Sequence, residues 1–313
     1  MKKPLAFLLA AMISIISFTT STFAATNPFD DYPEVNNPNI VKPPAPIKLV
    51  ETYTDLGTHK IYANIQGETY KNRPTVVFEA GFGQDSTAWR YVQPVIAQQT
   101  LTVSYDRSSL GKSDPTPKDS KRDAIGIATE LHNVLEQLKV PKPYILVGHS
   151  MGGNYVRVFQ GLYPDEVAGI VSVDGTVDTY EKDILLPYFD HDYVVNEYIP
   201  AFNAAEQMGL GSFDDVRAST NQAFSFRSSL KKLPLVVLSA QKQIMPYSPE
   251  EDLEALKYID AGVDSRWHEL QAQLAKQSTK GRFILTKDSA HEINLYRPDI
   301  VINAINSILK QVK

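Results

Sequence analysis

The sequence predicts an α/β fold built on a mostly parallel central sheet of about eight strands with flanking helices. Three observations carry this. Runs such as "YILVGH", "VAGIVSVDG" and "LPLVVLSA" are almost continuously apolar, as strands buried on both faces are. Segments with helical spacing alternate with them; Ile127, Leu131, Val134, Leu135 and Leu138 form one such stripe. The first two strand-like segments are instead separated only by a short turn at Asp55–Gly57, which predicts an antiparallel start.

The elements follow in order. Lys2 and Lys3, the apolar run "PLAFLLAAMISIISF" and the small-residue site "STFAAT" read as a secretory signal over residues 1–24. The apolar run is short for a membrane span of ~20 residues and carries serines, so no stable span is expected after cleavage. Residues 25–46, rich in Pro, Asn and Asp, read as a linker. From residue 47 to 313 one domain is expected. "KLVETYTDLGTHKIYANIQG" gives two strands, "PTVVFEAG" a third and "TLTVSYDR" a fourth. "DAIGIATELHNVLEQLK" is a helix, "YILVGH" a strand and "MGGNYVRVFQGLYP" a helix stopped near Pro164. "VAGIVSVDG", "LPLVVLSA" and "GRFILTKDS" complete the strands. "SRWHELQAQLAKQ" and "DIVINAINSILKQV" are amphipathic helices. Residues 176–232 hold no clear strand but many aromatics, Tyr180, Tyr198, Phe202 and Phe213 among them. A structureless loop of that length is uncommon, so an inserted helical cap is expected.

Composition narrows the function. The chain has 313 residues and a formal charge of −5, made more negative when Lys2 and Lys3 leave with the signal, and it has no long basic run. Nucleic acid is therefore a poor partner. There is no cysteine, so neither disulfides nor thiolate chemistry contribute, and the location expected from the signal is periplasmic or secreted. No His-x-x-x-His pair, Asp-rich loop or dinucleotide-binding glycine fingerprint occurs, so neither metal nor cofactor is expected.

The chemistry centres on "GHSMG". It fits G-x-S-x-G between a strand and a helix, the context that holds a serine out of a turn too tight for bulky neighbours. Ser150 is the expected nucleophile. It needs a base, and six histidines are available: His59, His132, His149, His191, His268 and His291.

At these residues the chain resembles the α/β-hydrolase superfamily, through "FEAGFG", "SYDRSSLGKSD", "VGHSMGGNYV", "YPDEVAGIVSVD" and "SAHEINLYRPDIVINAI". Within it, the chain is most similar to the monomeric, capped esterase and aminopeptidase-like branch. The resemblance implies a general base in the loop after the last strand, which is His291, in the order Ser before His. It implies oxyanion donors at the backbone N–H groups of Met151 and Phe82. Glu79 stands where many relatives have His; it is expected to cap or hydrogen-bond the loop backbone. Asp106 and Arg107 are expected to shape a loop. The usual triad acid follows the strand "LPLVVLSA", but Lys242 and Gln243 occupy the positions there. Asp174, after the preceding strand, is the first choice, Asp178 the reserve, and Glu250, Glu251 and Asp252 the remaining candidates.

Three functions are left open: a serine hydrolase of carboxylic esters, an amidase or aminopeptidase on short peptides, and a binding protein on a hydrolase scaffold. The second would need acids for a substrate amine, for which Glu181, Asp183, Asp190 and Asp192 are candidates. In either enzymatic case the partner is a small-molecule ester or amide.

Overall fold

Val76, Val77 and Phe78, with no polar side chain among them, can only be satisfied with both faces of their strand covered, and the fold covers them. The computed structural model describes residues 43–45, 47–243, 256–258 and 260–312. The signal reading, most of the linker, and Glu250, Glu251 and Asp252 lie outside the described residues.

The sheet has eight strands: β1 (Val50–Asp55), β2 (Lys60–Gln66), β3 (Thr75–Glu79), β4 (Thr102–Tyr105), β5 (Tyr144–His149), β6 (Val167–Val173), β7 (Leu235–Ala240) and β8 (Gly281–Thr286). Their spatial order is β1-β2-β4-β3-β5-β6-β7-β8. β1 pairs antiparallel with β2, and β2 with β4; all other pairs are parallel. The chain order reverses around β3, so the ends of β3 and β5 are neighbours, with Glu79 opposite Gly148. Such a switch point leaves a crevice beyond the carboxyl ends of the strands.

Each face of the sheet carries a core. On one, helices Ala124–Gln137 and Met151–Leu162 bring Leu131, Leu135, Val156 and Phe159 against Val77, Leu146 and Ile170. On the other, helix Pro298–Leu309 packs Val301, Ile305 and Ile308 against Val147, Val171 and Val236. The face alternates along each strand, as the pleat requires.

β8 departs from the expectation of strands buried on both faces. As the edge strand, it leaves Phe283 and Leu285 exposed.

Residues 181–225 are helical, with two wide turns the sequence reading did not anticipate. The N–H of Leu186 reaches back five residues to the carbonyl of Glu181, and that of Ile199 to Val194. Each turn precedes a proline, Pro187 or Pro200. A proline has no N–H to give and crowds the carbonyl four residues back, so a wider turn relieves both conflicts. This segment buries Tyr180, Tyr198, Phe202 and Phe213, and the hydroxyls of Tyr180 and Tyr198 lie 3.1 Å apart.

Ile305 tests the second core. Replacing it by alanine removes a fully buried side chain from a packed helix–sheet face. Urea unfolding should show a loss of about 2–5 kcal/mol with an unchanged denaturant slope.

Candidate active site

Ser150 sits at the junction of β5 and helix Met151–Leu162 with φ 53° and ψ −124°, a conformation a side chain rarely adopts. The surroundings force it. Its N–H donates to Val173 O (3.1 Å), and its own carbonyl accepts from Gly153 N and Thr176 N (both 2.9 Å). Two neighbours must be glycine. A Cβ on Gly148 would strike the carbonyl of Gly152, and one on Gly152 would strike the carbonyls of Glu79 and Ala80. The Ser150 turn is thus locked between β6 on one side and the end of β3 on the other.

Asp174 follows β6, also with positive φ (44°). It is fully buried, and its carboxylate is surrounded by donors. Oδ1 accepts from Ala240 N (2.9 Å) and Trp267 Nε1 (2.7 Å). Oδ2 accepts from Gln243 Nε2 (3.1 Å) and lies 2.6 Å from His291 Nδ1. Burial alone would push this carboxyl up. The hydrogen bond and charge interaction with His291, with the Ala240 and Trp267 bonds, outweigh it and hold the group below its usual value, hence ionised. His291 is buried, and its Nε2, the far side of the ring from Asp174, makes no hydrogen bond among the described residues. A carboxylate can only accept, so the hydrogen on Nδ1 is given to Asp174.

The structure therefore brings Asp174 and His291 together, with Ser150 on the strand beside Asp174's. Asp178 is elsewhere: its oxygens go to Arg157, through a charged hydrogen bond, and to Gln277 Nε2 (3.1 Å). Gln243, at a position where the usual acid was expected, instead donates to the acid from β6. Lys242 contributes its N–H to the Ser289 carbonyl (3.4 Å).

Phe82 and Met151 flank the same crevice. Neither backbone N–H donates to a partner among the described residues. Phe82 also packs on Phe202 of the inserted helices, their rings 4.9 Å apart.

Glu79 departs from the expectation that it would bond the loop backbone itself. It pairs with Arg107 and accepts from Tyr105 OH (2.5 Å). Arg107 carries out the backbone role: its guanidinium donates to the carbonyls of Ala80 (2.9 Å), Gly81 and Gln84 (3.4 Å). The carbonyls of the loop turn inward to the cation, and Glu79 neutralises it. Asp106 orders the neighbouring turns by accepting from Ser86 N (2.9 Å) and Lys112 N (2.8 Å).

The remaining histidines have local partners. His59 lies 3.6 Å from Glu130 and His132 stacks on Tyr163. His268 Nε2 meets Ala240 O at 2.8 Å, and His191 lies beside exposed Asp192. His149 is fully buried, with Nδ1 2.9 Å from Gln84 Oε1 and Nε2 3.1 Å from His291 O. Sequence reading gave no role to His149, Gln84, Gln243 or Trp267 because each bonds a partner at least 65 residues away. The one metal-type cluster among the described residues is His132, Glu136 and Glu166; Lys142 Nζ lies 2.7 Å from both of its carboxylates and already offsets half of their charge. No helix of the described residues is long and apolar enough to cross a membrane.

Two expectations test the buried charges. Arg107→Met should cost about 3–5 kcal/mol in urea unfolding, because it strands the Glu79 carboxylate in the core. The double variant Arg107→Met/Glu79→Gln should recover part of that loss. Burial, reinforced by His291, pushes the His149 imidazolium down to about 3 from 6.5. The unfolded chain then binds a proton below pH 6.5 that the folded chain refuses. This residue's contribution is full above pH 6.5 and erodes as the pH falls toward 3, by at most ~1.4 kcal/mol per pH unit. Urea unfolding at pH 7 and pH 5 should show a shallower decline for His149→Gln than for the parent.

The sequence matches the alpha/beta hydrolase fold family over residues 74–279, more than half of the chain. It is 24% identical over 234 residues to the uncharacterized protein YqjL of Bacillus subtilis (strain 168), covering 75% of this chain and 83% of that one. It is also 24% identical over 298 residues to the "Probable transporter efuK" of Hormonema carpetanum, covering 82% of this chain but only 42% of that protein's length. The structure of a thermophilic esterase from Thermogutta terrifontis superposes with a TM-score of 0.53 at 18% identity, over 85% of this chain and 99% of the esterase. With its strand order, its strained serine turn and this match, the chain belongs to the alpha/beta hydrolase fold family.

Proposed function

We propose that this chain is an exported serine hydrolase that cleaves carboxylic esters through an acyl-serine intermediate. The carrying observation is the 2.6 Å bond between Asp174 and His291, made by two fully buried groups beside the Ser150 turn. Export rests on the signal-like residues 1–24.

In this reading His291 Nε2 takes the proton from Ser150 as its Oγ attacks the ester carbonyl. The C–O bond to Ser150 forms, and the oxygen gains negative charge opposite the N–H groups of Phe82 and Met151. The helix that begins at Met151 adds its positive end. Collapse expels the alcohol, which receives the proton from His291. Water then repeats the sequence and releases the acid. Asp174 keeps the proton on Nδ1 and stabilises the imidazolium. Residues 176–232 act as a cap; the Phe82–Phe202 contact supports this by joining the insertion to the oxyanion loop. A likeness to an esterase structure agrees with the ester reading but shares only its fold.

The peptidase reading has less support. Glu181 is paired with Arg217 at 2.7 Å and Asp183 with Arg266 at 3.3 Å, while Asp190 accepts from Tyr193 N. Three of its four candidate acids are thus already engaged.

A fluorophosphonate probe should label the protein, and Ser150→Ala should abolish both labelling and p-nitrophenyl ester turnover. Labelling that survives Ser150→Ala sinks the assignment. Asp174→Asn should fold and lose on the order of 10⁴ in kcat, through the wrong imidazole tautomer. Near-full turnover in that variant would remove Asp174 from the triad. Tight ester binding without turnover would favour a binding protein.

A further inference from the structure

We propose that His149 is a positioning residue for the base: its Nε2–H holds the main-chain carbonyl of His291, and Gln84 ties the other side of its ring to the oxyanion loop. This rests on the hydrolase reading above. His149 lies between the two loops that must keep register during the reaction. It is fully buried at the end of β5, opposite Val173, and its ring centroid is 4.8 Å from that of His291. Nε2 is 3.1 Å from His291 O and Nδ1 2.9 Å from Gln84 Oε1, which also lies 3.1 Å from Gly81 N.

The His291 carbonyl and the Gly81 N–H compete to set the direction, and the carbonyl, which touches the base directly, is the one we take to win. Burial keeps the ring neutral near pH 7, so it carries one N–H. The His291 carbonyl can only accept, which places that hydrogen on Nε2. Nδ1 then needs a donor, and the amide of Gln84 supplies one by presenting its NH2 group. In that orientation the Gln84 nitrogen, not Oε1, faces the Gly81 N–H, so the bond at Gly81 is given up in exchange for the one to the His291 carbonyl. Asp174 holds His291 by its side chain, whereas His149 holds it by its backbone. With both, the imidazole has neither freedom to swing nor freedom to slide. A shift of ~1 Å at such a site costs about 10²-fold in rate.

Two amide substitutions separate this role from packing. The amide nitrogen of a glutamine reaches the place of Nε2; that of an asparagine reaches only the place of Nδ1. His149→Gln should keep kcat within about threefold of the parent, while His149→Asn should lose about 10²-fold in kcat with little change in KM. Equal loss in both variants, with equal loss of thermal stability, would mean packing alone and overturn the proposal. So would near-parental kcat in both. The histidine ¹⁵N spectrum of the parent, read on the Ser150→Ala protein as well, provides a measurement free of activity. An Nε2–H tautomer at His149 is expected, and an Nδ1–H tautomer overturns the proposal. Should the parent show no hydrolysis of any ester, the hydrolase reading fails, while the tautomer still reports on the tie between His149 and His291.

Discussion

The strained turn at Ser150 is the constraint on which the other parts depend. A residue with a side chain is held at positive φ, at a cost of about 1–3 kcal/mol that surrounding contacts must offset. Three backbone hydrogen bonds do so, reaching Val173, Gly153 and Thr176. Those bonds need β6 in register with β5, and they need the loop after β6 to run close enough that Gly153 and Gly175 nearly touch. The sheet therefore supplies more than a platform. The pairing that buries Val147 and Val171 is the same pairing that holds the serine in place.

Burial of charge is the second constraint, and it is met by crowding each charge with partners. Asp174 has four donors, and Arg107 has Glu79 with three backbone carbonyls. An isolated buried ion pair is weak evidence for stability, because desolvation cancels much of its attraction. Here the pair's geometry does something besides stabilise. Carbonyls 80, 81 and 84 point at one cation, so the loop between β3 and the following helical turn has a single conformation. Its Gly81 and Gln84 N–H groups bond within the loop, while that of Phe82 has no partner among the described residues.

Much of this was legible in the sequence, because periodicity and turn chemistry are local. Strands such as β3, β5, β6 and β7 follow apolar runs that can be read directly, β1 is marked instead by the turn after it, and Ser150, His291 and Asp174 each stand at the end of a strand or in the loop after it. What could not be read is the set of partners. Trp267 is 93 residues from Asp174 and His149 is 142 residues from His291; no local pattern marks either contact. Glu79 was read as a loop-bonding group because a carboxylate turned toward an oxyanion would repel it. Its actual partner, Arg107, comes from the end of β4, one strand away in the sheet. The two wide helical turns went unread for a different reason: the prolines that cause them also occur at ordinary helix starts.

The position of the acid after β6 has a geometric consequence for β7. His291 comes from beyond β8, so its ring must cross the end of β7 to meet Asp174. A second carboxylate at that end would confront the first across a dry gap and raise its pKa. Gln243 stands there instead, and its NH2 group turns the crossing point into a further donor to Asp174. Ala240 N and Trp267 Nε1 complete the ring of donors from β7 and the helix that follows. An amide at this point thus fits an acid one strand inward: a carboxylate here would face Asp174 as a rival, whereas Gln243 gives it a donor.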